Sequence, residues 1–281
     1  MLQRQTDEKQ KPILVLGGNG KTGKRVAERL LSMGIPVRIG SRHSEQPFSW
    51  EDKSTWQKVL EGIAAVYIVY SPDLAVPSAA EDISKFTKLA LQNNVKRLVL
   101  LSGRGEEGAV KSENELKNSD AHWTILRSSW FNQNFSEAFL IDQIREGVIA
   151  LPVGKVTEPF IDVDDLAEVA VKVLTEDGHI GKLYELTGPR LMTFQEATND
   201  ISAVIQRNIS YIKLTHQQFE KALCEAGTPA HTIELLMELF TSVLDGRNSF
   251  LGDGVQQVLG REPRDFKEYV QKTVKTGVWG E

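Results

Sequence analysis

Three regularly spaced glycines offer the clearest chemistry in this sequence: Gly17, Gly20 and Gly23 lie between an apolar run and a helical pattern. In that context the spacing is typical of a loop that binds the diphosphate of a dinucleotide. The first glycine permits a tight turn, the second lets the backbone approach the phosphates, and the third lets the helix pack close to the strand. Free amides at the start of the helix would donate to the phosphate oxygens. The predicted contacts are Gly17, Asn19, Gly20, Lys21, Thr22 and Gly23.

The residues after the second apolar run predict which cofactor this loop binds. That run ends at Gly40, and Ser41 and Arg42 follow it. An NAD enzyme usually places an Asp or Glu here for the ribose hydroxyls, and such a carboxylate would repel a 2′-phosphate. Ser41 offers a hydroxyl and Arg42 a planar cation, so the pattern favours NADP(H) over NAD(H). The alternative leaves Arg42 in solvent and assigns the ribose to Glu45.

Polar residues at the ends of two later apolar runs extend the predicted site. Ser71 follows the run at residues 65–69, where we expect it beside the ribose. Ser102 follows the run at 97–101 and would face the nicotinamide, unless its hydroxyl binds backbone instead. Arg104 lies on a glycine-flanked loop and is a candidate contact for a phosphate or an anionic substrate. A purely structural charge is the alternative for Arg104.

Alternating strand and helix patterns must position these residues. The alternation continues from the glycine loop to about residue 126, which predicts a doubly wound, Rossmann-type α/β fold with a parallel sheet. Beyond residue 131 the alternation loosens, with one more strand expected at 182–187. After Gly188-Pro189 the pattern is mainly helical, which indicates a smaller lobe. We divide the chain into a polar tail at 1–11, an NAD(P)-binding domain at 12–160, and a C-terminal portion at 161–281 that returns to the sheet and forms a substrate lobe.

Several stretches resemble one family over nearly the whole chain. The glycine spacing, the ending Ser41-Arg42 and residues 123–127 are similar to those of the NmrA-like branch of the atypical short-chain dehydrogenase/reductase family. Four further stretches resemble the ergot-alkaloid reductases of that branch, the festuclavine and agroclavine dehydrogenases. They are Trp130-Phe131-x-x-Asn134-Phe135, Pro159-Phe160-Ile161-Asp162-x-Asp164-Asp165, Leu186-Thr187-Gly188-Pro189 and Gly260-Arg261-x-Pro263. The resemblance implies reduction of a cyclic iminium with NADPH.

The sequence departs from this family in residues that would do chemistry. The superfamily usually has a Tyr-x-x-x-Lys pair, whose tyrosine donates a proton to the substrate carbonyl. None of the five tyrosines precedes a lysine at that spacing, so no catalytic residue is identified. Ser128 replaces the proline of the family's Leu-Arg-Pro, in a loop that faces the nicotinamide. NmrA-like reductases often carry a lysine near Lys111, and the resemblance implies a substrate or ribose contact there.

Without the Tyr-Lys pair, functions of two kinds remain open. An iminium already carries positive charge, so hydride transfer completes its reduction, and the protein need only orient the nicotinamide against it in a dry pocket. A quinone or azo reductase would take its protons from water. The other kind is a non-catalytic regulator that binds NAD(P) and senses it. Trp130, Phe131 and Phe135 would line a flat slot for a cationic acceptor, or would pack in the core.

Composition and charge exclude other classes of function. The 281 residues carry 33 basic and 38 acidic side chains, and the formal net charge of −5 opposes direct binding of nucleic acid. The single Cys224 and scattered histidines suggest no metal site, and we expect Asp164 to cap a helix. The sequence shows no secretion signal and no apolar stretch of about 20 residues, so we expect a cytoplasmic protein without a membrane partner. The expected partners are a small-molecule substrate and either a second copy of the chain, as a homodimer, or a regulatory protein.

Overall fold

The computed structural model describes residues 11–280, and six parallel strands form its central sheet. In chain order the eight strands are β1 (Ile13–Leu16), β2 (Val37–Gly40), β3 (Ala65–Ile68), β4 (Arg97–Gly103), β5 (His122–Ser128), β6 (Val148–Leu151), β7 (Lys182–Leu186) and β8 (Ser210–Lys213). The large sheet has the order β2-β1-β3-β4-β5-β7, and β6 pairs with β8 separately. This Rossmann-type α/β architecture confirms the predicted fold class. The polar tail predicted at 1–11 lies outside the described residues, apart from Lys11.

Helices cover both faces of the large sheet and make up most of the second lobe. They are α1 (Lys21–Ser32), α2 (Trp56–Leu60), α3 (Ala79–Gln92), α4 (Glu107–Lys117), α5 (Leu140–Glu146), α6 (Val163–Thr175), α7 (Phe194–Ile205), α8 (His216–Glu225), α9 (Ala230–Glu238), α10 (Gly254–Leu259) and α11 (Phe266–Val274). Within residues 11–280, none of the helices has both the length and the apolarity that crossing a bilayer requires.

The central strands form because their residues are continuously apolar. β1 and β3 are buried along their whole length, as expected for strands covered on both faces. On one face of the sheet α3 packs through Phe86, and on the other α1 and α6 pack through Leu30 and Leu166. Burying each such side chain contributes roughly 2 kcal/mol of transfer free energy. This packing fixes the carboxyl ends of the strands, where open α/β sheets bind their ligands.

The second lobe has its own aromatic core, which draws on residues from both sides of the division expected at 160. Phe135 and Phe160 join Phe194 in this core, and the rings of Phe160 and Phe194 meet edge to face with centroids 5.0 Å apart. The lobe is mainly helical, as predicted, but no pattern in the sequence indicated β8. β8 is largely exposed, so its residues lack the apolar run that marks a buried strand.

The junction of the two lobes corrects one expectation about the aspartates. Asp162 caps α6, because its side chain accepts a hydrogen bond of 2.9 Å from the Asp164 amide. The prediction that Asp164 is the cap was therefore wrong. Asp164 instead pairs with Arg29 of α1 at 2.9 Å and with Lys272 of α11. Several neighbouring carboxylates can serve as a cap, and the ion pairs across the junction decide which one does.

Candidate functional site

The glycine loop joins β1 to α1, where the sequence predicts it. Gly17 has φ +64°, a left-handed conformation that strains residues with a side chain. A side-chain carbon on Gly23 would overlap the Gly17 carbonyl and lie 2.9 Å from Gly18 Cα. The first turn of α1 therefore starts directly against the loop, which requires glycine at both positions.

The start of α1 forms a concave surface that fits a phosphate. The capping residue, Gly20, provides no side-chain hydrogen bond, and the first turn carries no acidic residue. The first amides of a helix have no partner within the helix and carry partial positive charge. Lys21 Nζ donates to Asn134 Oδ1 at 3.1 Å, and burial lowers the pKa of this lysine. Backbone and side chains here thus suit the diphosphate of a dinucleotide.

A hollow of about 640 Å³ lies beside the loop, at the end of β2. In its wall the side-chain amide of Asn19 donates to Ser41 Oγ at 3.1 Å. His43 and Glu45 also line the hollow, whereas Arg42 is exposed and lies outside the lining. The structure therefore brings Ser41 and Asn19 together, and an Arg42 contact requires that side chain to turn towards the ligand.

A cleft of about 240 Å³ opens at the carboxyl ends of β3, β4 and β5. Two of its lining residues connect it to the glycine loop. Val69 lies against Gly17, since a side-chain carbon on that glycine would be 3.3 Å from Val69 Cβ. Asn134 accepts the hydrogen bond from Lys21. A dinucleotide whose diphosphate binds at the loop would therefore extend into the cleft.

The two predicted strand-end serines differ in position. Ser71 is exposed on the loop after β3, at the rim of the cleft. Ser102 lines the cleft, but its hydroxyl donates to the buried carboxylate of Glu113 at 2.7 Å. Burial opposes ionisation of Glu113, yet the hydrogen bonds from Arg127 and Ser102 hold its pKa below the usual value. The Ser102 hydroxyl thus donates to the Glu113 carboxylate, which is paired with Arg127. It neither binds backbone nor points freely into the cleft.

The two basic substrate candidates are not free cations in the cleft. Arg104 lines it, but its guanidinium donates to Glu185 at 2.7 Å and to the carbonyls of Asn248 and Phe250. The same guanidinium stacks on the Phe250 ring, 4.2 Å from its centroid. Lys111 is exposed on α4 and lies outside the lining. This geometry favours the structural role of Arg104, and a substrate contact by either residue stays a prediction.

The three aromatic candidates divide between the cleft and the core. Trp130 and Phe131 are half-buried and line the cleft. The Trp130 ring rests on Phe240, with centroids 5.1 Å apart. Phe135 is fully buried and packs edge to face on Phe160 in the lobe's core. Trp130 and Phe131 therefore present aromatic surface to a ligand, while Phe135 supports the wall behind them.

Sequence reasoning missed three carboxyl groups in the cleft wall, those of Asp73, Glu106 and Glu158. Two glycines explain why the first two meet. A side chain on Gly103 would overlap the Glu106 carboxyl, and one on Gly108 would lie 2.6 Å from a carbonyl oxygen of the loop after β3. That loop therefore packs directly on the start of α4, and the carboxyl groups of Glu106 and Asp73 lie within hydrogen-bond distance of each other. The glycine-flanked loop at 103–105 was the available signal, and it does not reveal burial.

Burial raises the pKa of all three carboxyls. For Glu106 the negative charge of Asp73 adds to burial, so its pKa lies far above the usual value. Burial raises the pKa of Glu158 to about 7, although the charge of Arg104 acts in the opposite direction. Glu158 Oε1 is buried without a hydrogen-bond partner in the part of the chain described. At neutral pH the cleft thus holds carboxylic acids as well as carboxylates.

Tyr70 lines the cleft, but its geometry does not replace the missing Tyr-Lys pair. Its hydroxyl donates to buried Asp82 at 2.8 Å. Burial, followed by the hydrogen bond and charge of Asp82, raises the pKa of Tyr70 to about 12. A catalytic acid works best with a pKa near the working pH, so the Tyr70 proton is poorly suited to transfer.

Comparisons with known proteins agree with this geometry. A family model described as NAD(P)H-binding matches residues 17–177. Agroclavine dehydrogenase of Claviceps fusiformis is 33% identical over 279 residues, which are 92% of this chain and 96% of that protein. Prestalk A differentiation protein A of Dictyostelium discoideum is 30% identical over 278 residues, 93% of this chain and 92% of that protein. The crystal structure of Citrobacter sp. triphenylmethane reductase complexed with NADP(H) shares the fold, with a TM-score of 0.74, 20% identity and coverage of 93% of this chain and 99% of that chain.

Proposed function

We propose, on the premise that this chain belongs to the NAD(P)H-binding family and is an oxidoreductase, that it uses NADPH to reduce a small, flat, activated acceptor such as a cyclic imine or iminium. The observation that carries this proposal is the continuity of the glycine loop with the cleft. Val69 and Asn134 line the cleft; Val69 also lies against Gly17 of the loop, and Asn134 accepts the hydrogen bond from Lys21, so one extended ligand can occupy the two together. The acceptor would then lie beside the nicotinamide, between strand ends and the second lobe.

The cofactor's place follows from the loop. The amides at the start of α1 and the side chain of Lys21 would bind the diphosphate, and Asn19 and Ser41 would bind the adenosine ribose. Arg42 directly follows Ser41 in the sequence, and its positive charge would favour a 2′-phosphate on that ribose. A bound NADPH supplies a hydride, and the cleft orients the acceptor towards it and excludes water.

The cleft's chemistry favours a flat acceptor that carries or gains positive charge. Trp130 and Phe131 offer aromatic faces, which attract cations. Asp73 and Glu158 add carboxyl oxygens to the same cleft, and the one guanidinium among its described lining residues, that of Arg104, is already bound by protein groups. The names of two similar proteins, agroclavine dehydrogenase and triphenylmethane reductase, support a search among polycyclic acceptors.

Oxidation of NADPH tests this proposal. Purified protein is mixed with NADPH and N-methyl-3,4-dihydroisoquinolinium, a flat cyclic iminium, and cyclohexanone serves as the unactivated control. We expect stoichiometric NADPH oxidation with the iminium and none with the ketone. Trp130→Leu should raise KM for the iminium about tenfold through loss of the aromatic face. Phe139→Leu, at an exposed aromatic outside the lining, is its matched control. NADPH binding without oxidation by either acceptor contradicts the proposal.

A non-catalytic sensor of NAD(P) is the second candidate. It is supported by the 30% identity to a protein named for differentiation and by the missing Tyr-Lys pair. A sensor would bind the oxidised and reduced cofactor and turn over neither. The same assay separates the two candidates, because only a reductase consumes NADPH in proportion to added acceptor.

A further inference from the structure

We propose that Glu106, paired with Asp73, is the proton donor of this cleft, so that neutral imines are substrates as well as fixed iminium cations. This inference rests on the proposed function and adds a catalytic residue to it. A fixed iminium needs hydride alone, whereas a neutral imine also needs a proton on nitrogen. The question is therefore which group in the cleft can give up a proton.

The hydroxyl groups of the cleft are already committed as donors. Ser128 donates to the Ser129 carbonyl at 2.9 Å, and Ser129 donates to the Pro159 carbonyl at 2.5 Å. As described above, Ser102 donates to Glu113 and Tyr70 to Asp82. Each of these hydroxyl groups is also a much weaker acid than a carboxyl, and the pKa of Tyr70 is raised to about 12, so none of them is suited to give up its proton near neutral pH. Carboxylic acids are what remains.

Glu106 keeps its proton because the charges that act on it most strongly are negative, although Arg104 lines the same cleft and Arg247 contacts the neighbouring Gly105. Asp73 faces it from the loop after β3, Glu113 from its own helix and Glu238 from α9. Burial is the largest influence and acts in the same direction as these charges. Glu158 differs, because the positive charge of Arg104 favours its ionised form. Glu106 is therefore the carboxyl in the cleft that is most firmly protonated at neutral pH.

The backbone holds the Glu106 carboxyl in place. The absence of a side chain on Gly103 leaves the space that the carboxyl occupies at the end of β4. The close packing of Gly108 on the loop after β3 brings Asp73 within hydrogen-bond distance. The acid thus lies at a strand end and lines the cleft, the edge of the sheet where ligands of this fold bind.

An independent feature indicates that the cleft receives a polar ligand. Glu158 is 1% exposed and lines the cleft, and its Oε1 has no partner among residues 11–280. Leaving a buried carboxyl oxygen unpaired is unfavourable by about 1–3 kcal/mol or more. A ligand with an N–H group would satisfy this oxygen. The product of imine reduction, an amine, carries such a group.

Reduction of a neutral imine consumes one hydride and one proton. The imine carbon accepts hydride from NADPH, and the C=N double bond becomes a single bond. The imine nitrogen accepts the proton from the Glu106 carboxyl, which gives the amine, NADP⁺ and a Glu106 carboxylate beside Asp73. Two adjacent carboxylates repel each other, so once the amine has left and water can enter the cleft, the pair takes up a proton from solvent. The acid is then ready for another turnover.

Two matched acceptors test the assignment: 3,4-dihydroisoquinoline, a neutral imine, and its N-methylated cation. We measure kcat at saturation for both at about pH 8, where the free imine is mostly uncharged. In Glu106→Gln the ratio of the imine rate to the cation rate should fall about 100-fold, the usual contribution of a general acid. Glu107→Gln is the matched control, because Glu107 is the next residue and is exposed. That variant should keep the wild-type ratio.

The pH profile gives a second readout that does not require loss of the acid. In wild-type protein kcat for the imine should fall as pH rises through the pKa of Glu106, while kcat for the cation stays level. Asp73→Asn removes a negative charge that helps to keep Glu106 protonated, so this fall in kcat should occur at lower pH. If kcat for the imine falls at the same pH in Asp73→Asn as in the wild type, the role of the pair is contradicted.

Infrared spectroscopy of the protein without cofactor tests the protonation directly. At neutral pH the wild type and Glu107→Gln should show the carbonyl stretch of a protonated carboxyl, and Glu106→Gln should lose intensity from that band. Unchanged intensity overturns the proposal. So does an equal loss of rate with both acceptors, or a selective loss in Glu158→Gln in place of Glu106→Gln.

Failure of this inference is distinguishable from failure of the proposed function. If wild-type protein reduces the cation but the rate ratio survives in Glu106→Gln, the reductase assignment stands and only the proton donor is wrong. If wild-type protein oxidises NADPH with neither acceptor, the proposed function fails, and the inference that rests on it fails too.

Discussion

The two ends of the ligand site are built in opposite ways. At the glycine loop the binding groups are backbone amides, and Gly17 and Gly23 make room for them because they carry no side chain. At the far end of the cleft the groups that we propose to act on the ligand are the side chains of Asp73, Glu106 and Glu158, and burial is the largest influence on their protonation. A backbone site leaves a spacing in the sequence. A site that depends on burial leaves none, since contacts made elsewhere in the chain determine it.

The largest expected effect comes from adding a side chain at the glycine loop, where backbone amides form the proposed diphosphate site. Gly23→Ala places a methyl group against the Gly17 carbonyl, so the start of α1 must move away from the loop. We expect NADPH to bind about 100-fold more weakly, a loss of about 2.8 kcal/mol, as measured by calorimetric titration. The carboxyl groups at the far end of the cleft should be unaffected, and the infrared band of protonated Glu106 should persist.

Gly62→Ala is the control for a general effect of adding a methyl group. Gly62 has φ +70° and no atom within 4 Å of an added side-chain carbon, and it precedes β3 at the opposite edge of the sheet. The strained backbone should lower the free energy of unfolding by about 1 kcal/mol without changing NADPH affinity. If Gly23→Ala also binds NADPH normally, the loop is not the diphosphate site.

These differences explain what the sequence could and could not predict about the site. Gly17, Lys21 and Ser41 could be proposed from the sequence because turn geometry and strand endings have local signatures. For Arg104 the sequence allows either a substrate contact or a structural charge, and only the folded chain shows its guanidinium bound to Glu185 and two carbonyls. The proton donor was sought as a tyrosine with a particular spacing. A pair of carboxyls from separate loops has no such spacing to find.

The fold was predictable to the same degree and for the same reason. Buried strands such as β1 have apolar runs, so the large sheet follows from the sequence. The exposed β8 has no such run, and its pairing with β6 depends on the lobe that surrounds it. The choice of Asp162 over Asp164 as the α6 cap was likewise decided by partners more than a hundred residues away, Arg29 and Lys272.

A second prediction concerns stability, because the two regions respond to pH in opposite directions. Behind the glycine loop, burial opposes ionisation of Asp164, but hydrogen bonds from Lys272 and Arg29 lower its pKa from 3.8 to about 2. The stabilisation is therefore present above pH 3.8 and is lost as pH falls through 2. Glu106 has a raised pKa, so its contribution is present below 4.5 and is lost as pH rises through its folded-state pKa.

Urea unfolding, which measures the free energy of unfolding at each pH, separates the two effects. Asp164 should determine the loss of stability at low pH, which we call the acid limb, and Glu106 the loss at high pH, the alkaline limb. Asp164→Asn should remove about 2 kcal/mol from the acid limb and leave the alkaline limb unchanged. Glu106→Gln should flatten the alkaline limb only. Glu107→Gln, at an exposed carboxyl, should follow the wild type throughout. If Asp164→Asn and Glu106→Gln alter the same limb, the opposite electrostatics of the two regions are refuted.

The smallest effect is expected at Arg42, which lies between these extremes: its position is set by the end of β2, but its exposed side chain is free to move. A charge-assisted hydrogen bond to a 2′-phosphate contributes about 1.4 kcal/mol, so Arg42→Ala should reduce the preference for NADPH over NADH about tenfold. Titration of both cofactors measures this, and the effect should shrink in high salt because the contact is exposed. Lys58→Ala removes an equally exposed charge outside the hollow and should keep the wild-type preference. If Arg42→Ala and Lys58→Ala prefer NADPH over NADH to the same extent, Arg42 does not select the cofactor. Ser41 and Asn19 would then make that selection, and the glycine-loop end of the site would determine cofactor choice without the mobile Arg42 side chain.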